Sequence, residues 1–314
     1  MNDLDEKLKQ AREMSWKTFG RRITFFLPGI FCYNGLYGRY PAISITGSQC
    51  ALQCDHCRGK ILEPMTSAMT PDLLTEQCIR LAQKGNHGVL LSGGCDEEGR
   101  LPWDRFMPAI KEIKGHTDLY ISVHCGLIDY ATALQLKEVG VNQALIDVIG
   151  DDDTYRDIYH VDFGVSKILS SMESLQKSNM PIIPHIVCGL HYGKIKGENK
   201  AVEMIAQFDV DQVVIVSLMP IPGTPLWNGA LPGAGEVAEI IAETRFKLPR
   251  ARINLGCARE RGNIPMELLA IDAGVNRMAI PSEEAIRRTE DYGLEIRYQR
   301  TCCSVSKDYS KKEW

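Results

Sequence analysis

The sequence predicts an α/β protein of the (β/α)8, TIM-barrel type, and three observations carry that expectation. Eight short apolar runs with strand character recur along the 314 residues. Stretches of helical spacing separate them, an alternation that favours a closed barrel over an open sheet. No internal repeat, low-complexity linker or domain boundary interrupts the pattern, and α/β barrels commonly use this length as one unit. The division expected is a lead-in over 1–40, a barrel over 41–292 and a tail over 293–314.

Taken in order, residues 3–13 have helical composition, and 17–40 form an aromatic-rich, irregular lead-in. Its segment Arg21–Phe26 suits a strand or a cap on the barrel floor. Pro41–Gly47 reads as the first barrel strand, ending in a Gly turn. Thr70 and Pro71 open a helix as N-cap and first-turn proline. Gly88–Ser92, Leu119–Val123, Gln143–Val148 and Pro181–Val187 are the next strands, with a helix from about Trp103. Val213–Ser217, Arg252–Leu255 and Val275–Ile280 complete the set, and Gly235–Phe246 carries apolar residues at helical spacing. An open barrel of six strands is the alternative.

Composition narrows the function. The apolar fraction of 44% is that of an ordinary globular protein with a sizeable core. A net charge of −4 gives no sign of a nucleic-acid partner. No apolar stretch approaches membrane-spanning length, and the charged N-terminus lacks the apolar core of a signal peptide. With 11 cysteines and no export signal, a cytoplasmic location and metal binding are expected rather than disulfides.

The densest chemistry lies in Cys50-Ala-Leu-Gln-Cys54-Asp-His-Cys57, on the loop after the first strand. Three thiolates so close in sequence can face one metal centre, and soft sulfur ligands select iron–sulfur clusters or zinc. Zinc normally closes with four protein ligands, and only His56 is at hand as a fourth. On a four-iron cluster, three thiolates leave one iron open for a substrate. The bland reading, buried structural cysteines, suits so tight a triplet poorly.

A C-x3-C-x2-C loop after a first strand resembles the signature of the radical S-adenosylmethionine (radical SAM) superfamily, which would make the barrel a radical SAM barrel. The resemblance implies that Cys50, Cys54 and Cys57 hold a 4Fe–4S cluster whose open iron chelates S-adenosylmethionine. Reductive cleavage of that cofactor then yields a 5′-deoxyadenosyl radical, with the protein supplying placement and exclusion of water. Gly93 and Gly94 match the family's Gly-Gly-Glu after strand two, whereas Cys95 departs from it, leaving Asp96 or Glu97 to replace the carboxylate. Ser122 and His124 end strand three and Asp147 ends strand four, positions from which related barrels reach the cofactor. Asp147 reads equally well as a helix N-cap. Arg156 could pair with the methionine carboxylate or form a solvated salt bridge. His185 and His191 flank strand five as core or rim histidines. Gly223-Thr224-Pro225 looks like a turn of biotin-synthase-like members.

The remaining cysteines sharpen the reading. Cys257 ends strand seven, and Cys302 and Cys303 are vicinal in the tail; together they can grip a second Fe–S cluster. Cys188 or Ser304 could complete the set, Cys95 and Cys125 are rivals, and unrelated free thiols are the alternative. Cys78 is expected in the core and Cys32 at the opposite barrel end. With Pro184-His185-Ile186, Gly189-Leu190-His191 and Leu255-Gly256-Cys257, these features resemble the two-component, biotin-synthase-like lipoyl synthases. That resemblance implies a sulfur-inserting transferase acting on a protein-bound octanoyl chain. The carbon radical would attack a sulfide of the second cluster, which closes the barrel mouth over the substrate. The partners implied are a homologous subunit, an octanoylated carrier protein or domain, and an electron donor such as ferredoxin or flavodoxin. The alternatives are another biotin-synthase-like radical enzyme (a mutase or methylating enzyme) and a non-catalytic Fe–S or zinc protein.

Overall fold

A computed structural model describes residues 3–29, 31–33 and 35–314. The chain opens with helix α1 (Asp3–Phe19) and strand β1 (Arg22–Phe26), then the hairpin β2 (Cys32–Tyr33) and β3 (Leu36–Tyr37). From there strand and helix alternate: β4 (Ala42–Ser44), β5 (Thr66–Ser67), α2 (Pro71–Gln83), β6 (Gly88–Ser92), α3 (Trp103–His116), β7 (Tyr120–His124), α4 (Tyr130–Glu138) and β8 (Gln143–Asp147). A short α5 (Asp152–Thr154) runs into a π-helical turn at Tyr155–Tyr159 before α6 (Val165–Lys177). The second half is β9 (Ile182–Cys188), α7 (Glu198–Ile205), β10 (Gln212–Ser217), α8 (Ala234–Lys247), β11 (Arg252–Leu255), α9 (Ile264–Asp272), β12 (Arg277–Ala279), α10 (Glu283–Asp291) and β13 (Glu295–Gln299).

The eight strands expected are β4 and β6 to β12, and each neighbours the next in one parallel sheet. The helix expected at Thr70-Pro71 starts there, with the Thr70 hydroxyl accepting from Leu73 N. Three further strands enlarge the sheet to 11, and it curls into a half-barrel of the TIM type. β5 flanks β4, while β1 and β13 extend the other edge beyond β12. The lead-in and the tail therefore each contribute a strand. Between β13 and β4 no ladder forms among the described residues. One backbone bond, Arg39 N to Arg300 O at 2.6 Å, spans that seam.

Because all the strands run parallel, their carboxyl ends share one rim, the mouth, and their amino ends the floor. Alternate residues face opposite ways. Ile43, Leu91, Val123, Ile146, Ile186, Ile215 and Leu255 join the large core between sheet and helices. Phe26, Leu145, Ile183, Val214, Val216 and Ala279 form a second core with Cys303 inside the curl. Strands are staggered around a barrel, so the end of β13 comes level with the approach to β4. The chain leaving Arg300 thus enters the lumen at the floor. This corrects the expectation that the tail closes the mouth: residues 301–306 plug the barrel from below.

Candidate active site

At the mouth the cysteine loop is wound by its own backbone. Gly47, Gln53, Arg58 and Gly59 all take left-handed conformations, the non-glycines at φ 47° and 45°, which turn the chain sharply at small steric cost only for glycine. Cys57 N and Arg58 N both bond Cys54 O, at 3.1 and 2.8 Å, and the Gln53 amide donates to Cys50 O at 2.6 Å. Neighbours brace the turn: Ala51 N bonds Cys95 O, Asp55 N bonds Ile158 O in the π-helical turn, and Lys60 Nζ reaches Pro222 O at 2.7 Å. Gly94 lies flush against the loop, since a Cβ there would meet Gln49 O at 2.0 Å and Cys50 Cα at 2.5 Å. Only glycine fits. Its amide is in turn fixed by Thr46 Oγ1 at 2.7 Å.

Cys54 and Cys57 are buried and all three thiols are unbridged. Burial pushes the Cys54 thiol well up and the Cys57 thiol up to about 11. Such thiols ionise only beside a strong positive charge, as a bound metal centre provides. His56 is half-buried against Tyr159, with ring centroids 5.2 Å apart, and its buried Nδ1 has no partner. Burial lowers its pKa to about 4 against the pull of Asp147 and Asp55, so the imidazole is neutral. Among the described residues no three His, Cys, Asp or Glu side chains converge as closely as a single ion demands. The ligands of a cubane stand further apart. A tightly turned loop with three free thiols and a neutral imidazole fits a 4Fe–4S cluster.

Beside the loop, His124 Nε2 lies 3.5 Å from Asp147 Oδ1, and the His124 and His185 rings meet edge to face at 6.1 Å. Burial would raise the Asp147 pKa, yet the imidazoles of His124, His185 and His56 hold it at about 2. In return Asp147 outweighs burial and raises His124. The N-cap alternative for Asp147 fails, because Asp151 caps the following helix, its carboxylate accepting from Thr154 N at 2.9 Å. Ser122 also faces the lumen, but its hydroxyl is engaged 2.6 Å from Tyr40 Oη. Arg156 stands apart, exposed and paired with Asp153 at 2.6 Å and Asp157 at 3.0 Å. Asp96 is spent on a local turn, accepting from Glu98 N and Arg100 N. His191 lies 3.3 Å from Thr154 Oγ1.

The tail brings its thiols to the same lumen. Cys303 and Ser304 are buried, and Cys302 lies within electrostatic reach of both His124 and Cys257. The two vicinal thiols share a proton in a way that raises Cys303 and lowers Cys302, and Ser304 Oγ lies 3.0 Å from the Cys302 thiol. Cys257, Cys302 and Cys303 are thus brought together, although 45 residues part the first two in sequence (302 − 257). The rivals are not part of this group. Cys125 and Cys188 face the helical layer, and Cys95 packs against the same outer core. Cys78 is buried in α2, as expected, and Cys32 is exposed on the hairpin. Arg259 is locked in a buried pair with Glu267 at 2.6 Å and acts electrostatically on the Cys257 thiol. It also clamps Gly256 O and Ile280 O at the ends of β11 and β12. Ile280 sits at φ 50°, a strained geometry for a β-branched residue.

Comparison with known proteins then decides the family. The model of the radical SAM superfamily matches residues 44–208, from β4 into α7 and just beyond. The chain belongs to the radical SAM superfamily. Membership brings a 4Fe–4S cluster and S-adenosylmethionine, and Cys50, Cys54 and Cys57 are the residues that could hold the cluster. A second model, the biotin and thiamin synthesis associated domain, matches residues 215–312 and takes in the thiol-bearing tail. The biotin synthase of Geotalea uraniireducens is 27% identical over 232 residues, covering 70% of this chain and 68% of that one. That of Geobacter sulfurreducens is 25% identical over 273 residues, 81% of each. Among solved structures, a methylornithine synthase superposes with a TM-score of 0.65 at 20% identity, over 93% of this chain and 88% of its own. The FeFe-hydrogenase maturase of Carboxydothermus hydrogenoformans gives 0.66 at 17%, over 94% and 72%. These structures share the fold. Radical SAM chemistry follows for this chain from the superfamily match.

A cleft of about 800 Å³ lies outside the lumen, between Ala51 and Leu52 of the loop, Glu97, Glu98 and Arg100, and the serine face of α6. The reactive groups converge in the lumen, so the lumen is the site. Sequence reasoning missed the side chains that organise it, chiefly Tyr40, Gln143, Gln212, Asn254 and Arg277. The available signal was a polar residue inside each otherwise apolar strand, since both faces of a parallel strand are normally buried and apolar.

Proposed function

We propose that this radical SAM enzyme inserts sulfur into an unactivated carbon of an octanoyl chain carried on a protein, as one component of a lipoyl synthase. The observation that carries the reading is the gathering of Cys257, Cys302 and Cys303 inside the lumen, beside His124 and below the mouth loop. When bound, the mouth cluster with S-adenosylmethionine supplies the 5′-deoxyadenosyl radical, and a second cluster on the inner thiols supplies sulfide. The chain's own residues do the rest. His124, Asp147 and His185 offer a polar, charge-matched wall toward the cofactor. Leu90, Val187, Ala258 and Ile280, half-buried against the inner core, are the apolar side chains we assign to an acyl chain. The tail seals the floor against water, so an unactivated carbon and its hydrogen are held in position, which is most of what this chemistry needs. A homologous partner subunit, a carrier domain at the mouth and a low-potential electron donor complete the proposed system.

The test is an octanoyl-lysine peptide incubated with reconstituted enzyme, S-adenosylmethionine, reductant and the homologous partner. Mass spectrometry should show sulfur added to the peptide. An unchanged peptide alongside steady 5′-deoxyadenosine production would point instead to a mutase or methylating enzyme of the same family.

A further inference from the structure

The floor of the barrel carries four inward polar side chains that the reaction itself does not call for. Gln143 and Gln212 open β8 and β10, Asn254 lies in β11 and Arg277 opens β12; all four are buried. Every one of them is turned on the tail. Gln143 Nε2 donates to Ser304 O at 2.8 Å, and Gln212 Nε2 donates to the same carbonyl. Asn254 Nδ2 donates to Cys303 O at 2.9 Å, and Arg277 Nη1 to Val305 O at 2.8 Å. Gln143 Oε1 accepts from Ser306 N at 3.0 Å, and Gln212 Oε1 accepts from Arg277 at 2.7 Å and Asn254 at 3.2 Å. Three consecutive tail carbonyls, 303 to 305, are therefore satisfied by strand side chains rather than by a ladder. Buried backbone carbonyls need such partners, and each donor here comes from a different strand.

We infer that Gln143, Gln212, Asn254 and Arg277 form a mount that fixes residues 302–305 in the lumen and aims the Cys302 and Cys303 thiols at Cys257. They are positioning residues, acting through the tail. Chain ends are ordinarily the least ordered part of a domain, and these four side chains tie this one down. Arg277 adds an electrostatic element: it is buried, 5.3 Å above the Phe26 ring, with no carboxylate at ion-pair distance among the described residues. A buried cation left so is costly unless an anion shares the space. Asp308 lies within electrostatic reach, and a second cluster on the inner thiols would add negative charge; that last part rests on the second-cluster reading.

The experiment uses the full chain, with Asn254→Ala and Arg277→Gln as separate variants and Gln143→Ala as a milder third. In metal-free protein, iodoacetamide labelling of Cys302 and Cys303 and hydrogen exchange of residues 301–309 are followed by mass spectrometry. Exchange of β7 to β9 serves as the fold control. Loss of a mount residue should speed labelling and tail exchange by about tenfold or more, as for loss of one buried hydrogen bond to a charged or amide donor, with β7 to β9 unchanged. Wild-type rates in every variant that keeps its fold would overturn the mount; if Arg277→Gln unfolds, the other two decide. Iron analysis of reconstituted variants is a separate readout. A loosened tail with full iron content would leave the mount standing and remove the second-cluster reading.

Discussion

The two thiol sets of this barrel are ordered in opposite ways. Cys50, Cys54 and Cys57 sit on one loop, and the backbone itself wraps them, through left-handed residues and bonds within 12 residues or so of one another. Cys257, Cys302 and Cys303 come from a strand end and a chain end, and side-chain donors from four strands hold the tail in place. The first set is wound mainly by its own backbone, with Gly94, Cys95, Ile158 and Pro222 bracing it from outside. The second exists only once the sheet has curled. A local set should survive damage to the barrel floor, and a topological one should not.

The largest effect expected is on the local set. Replacing Cys50, Cys54 and Cys57 by alanine should abolish 5′-deoxyadenosine formation and the visible absorption of the mouth cluster, measured by chromatography and spectroscopy. Persisting cleavage would end the distinction between the two sets. Next is Glu267→Ala, which strips the partner from buried Arg259 and loosens the strand ends beside Cys257. Breaking such a buried pair costs about 3–5 kcal/mol, to be read from urea unfolding. The inner thiols should become reactive before the mouth loop does.

A smaller effect concerns the wall between the sets. Asp147→Asn should lower the His124 pKa, followed by NMR titration of the ring. The His124 value is raised in the fold, so its share of stability is full below the ordinary 6.5 and fades as pH rises through the raised value. The Asp147 value is depressed, so its share is present above the ordinary 3.8 and fades as pH falls toward about 2. The melting-temperature gap between wild type and variant should therefore be widest from about pH 4 to 6.5 and narrow on both sides. A gap independent of pH would show that the pair is not ionised as described. Least of all should be Arg156→Ala: its ion pairs are solvent-exposed, and such pairs contribute little. Neither melting temperature nor deoxyadenosine yield should move. A clear fall in yield would return Arg156 to the cofactor.

What was legible in the sequence follows the same division. The strands carrying the site announce themselves as apolar runs, and the triplet spacing of Cys50, Cys54 and Cys57 is chemistry written within eight residues (57 − 50 + 1). β13, Glu295–Gln299, alternates charged and apolar residues at a sheet edge and carries no such run. The direction from which the tail enters depends on barrel stagger, which no local pattern encodes, so the mouth was expected and the floor is found. Gln143, Gln212, Asn254 and Arg277 look like ordinary polar punctuation of strands. Their meaning appears only when four strands place them around one peptide. Asp147 and His124 were readable as strand-end residues, but their pairing rests on the register of β7 with β8.

The central claim is that one barrel holds two separate thiol sites with separate tasks. It is tested most directly by replacing Cys257, Cys302 and Cys303 together and measuring iron, sulfide and 5′-deoxyadenosine in the same reconstituted sample. The account predicts a loss of about four irons per chain, one cubane, with S-adenosylmethionine cleavage retained and no sulfur transferred to an octanoyl peptide. Full iron content in that variant would contradict it.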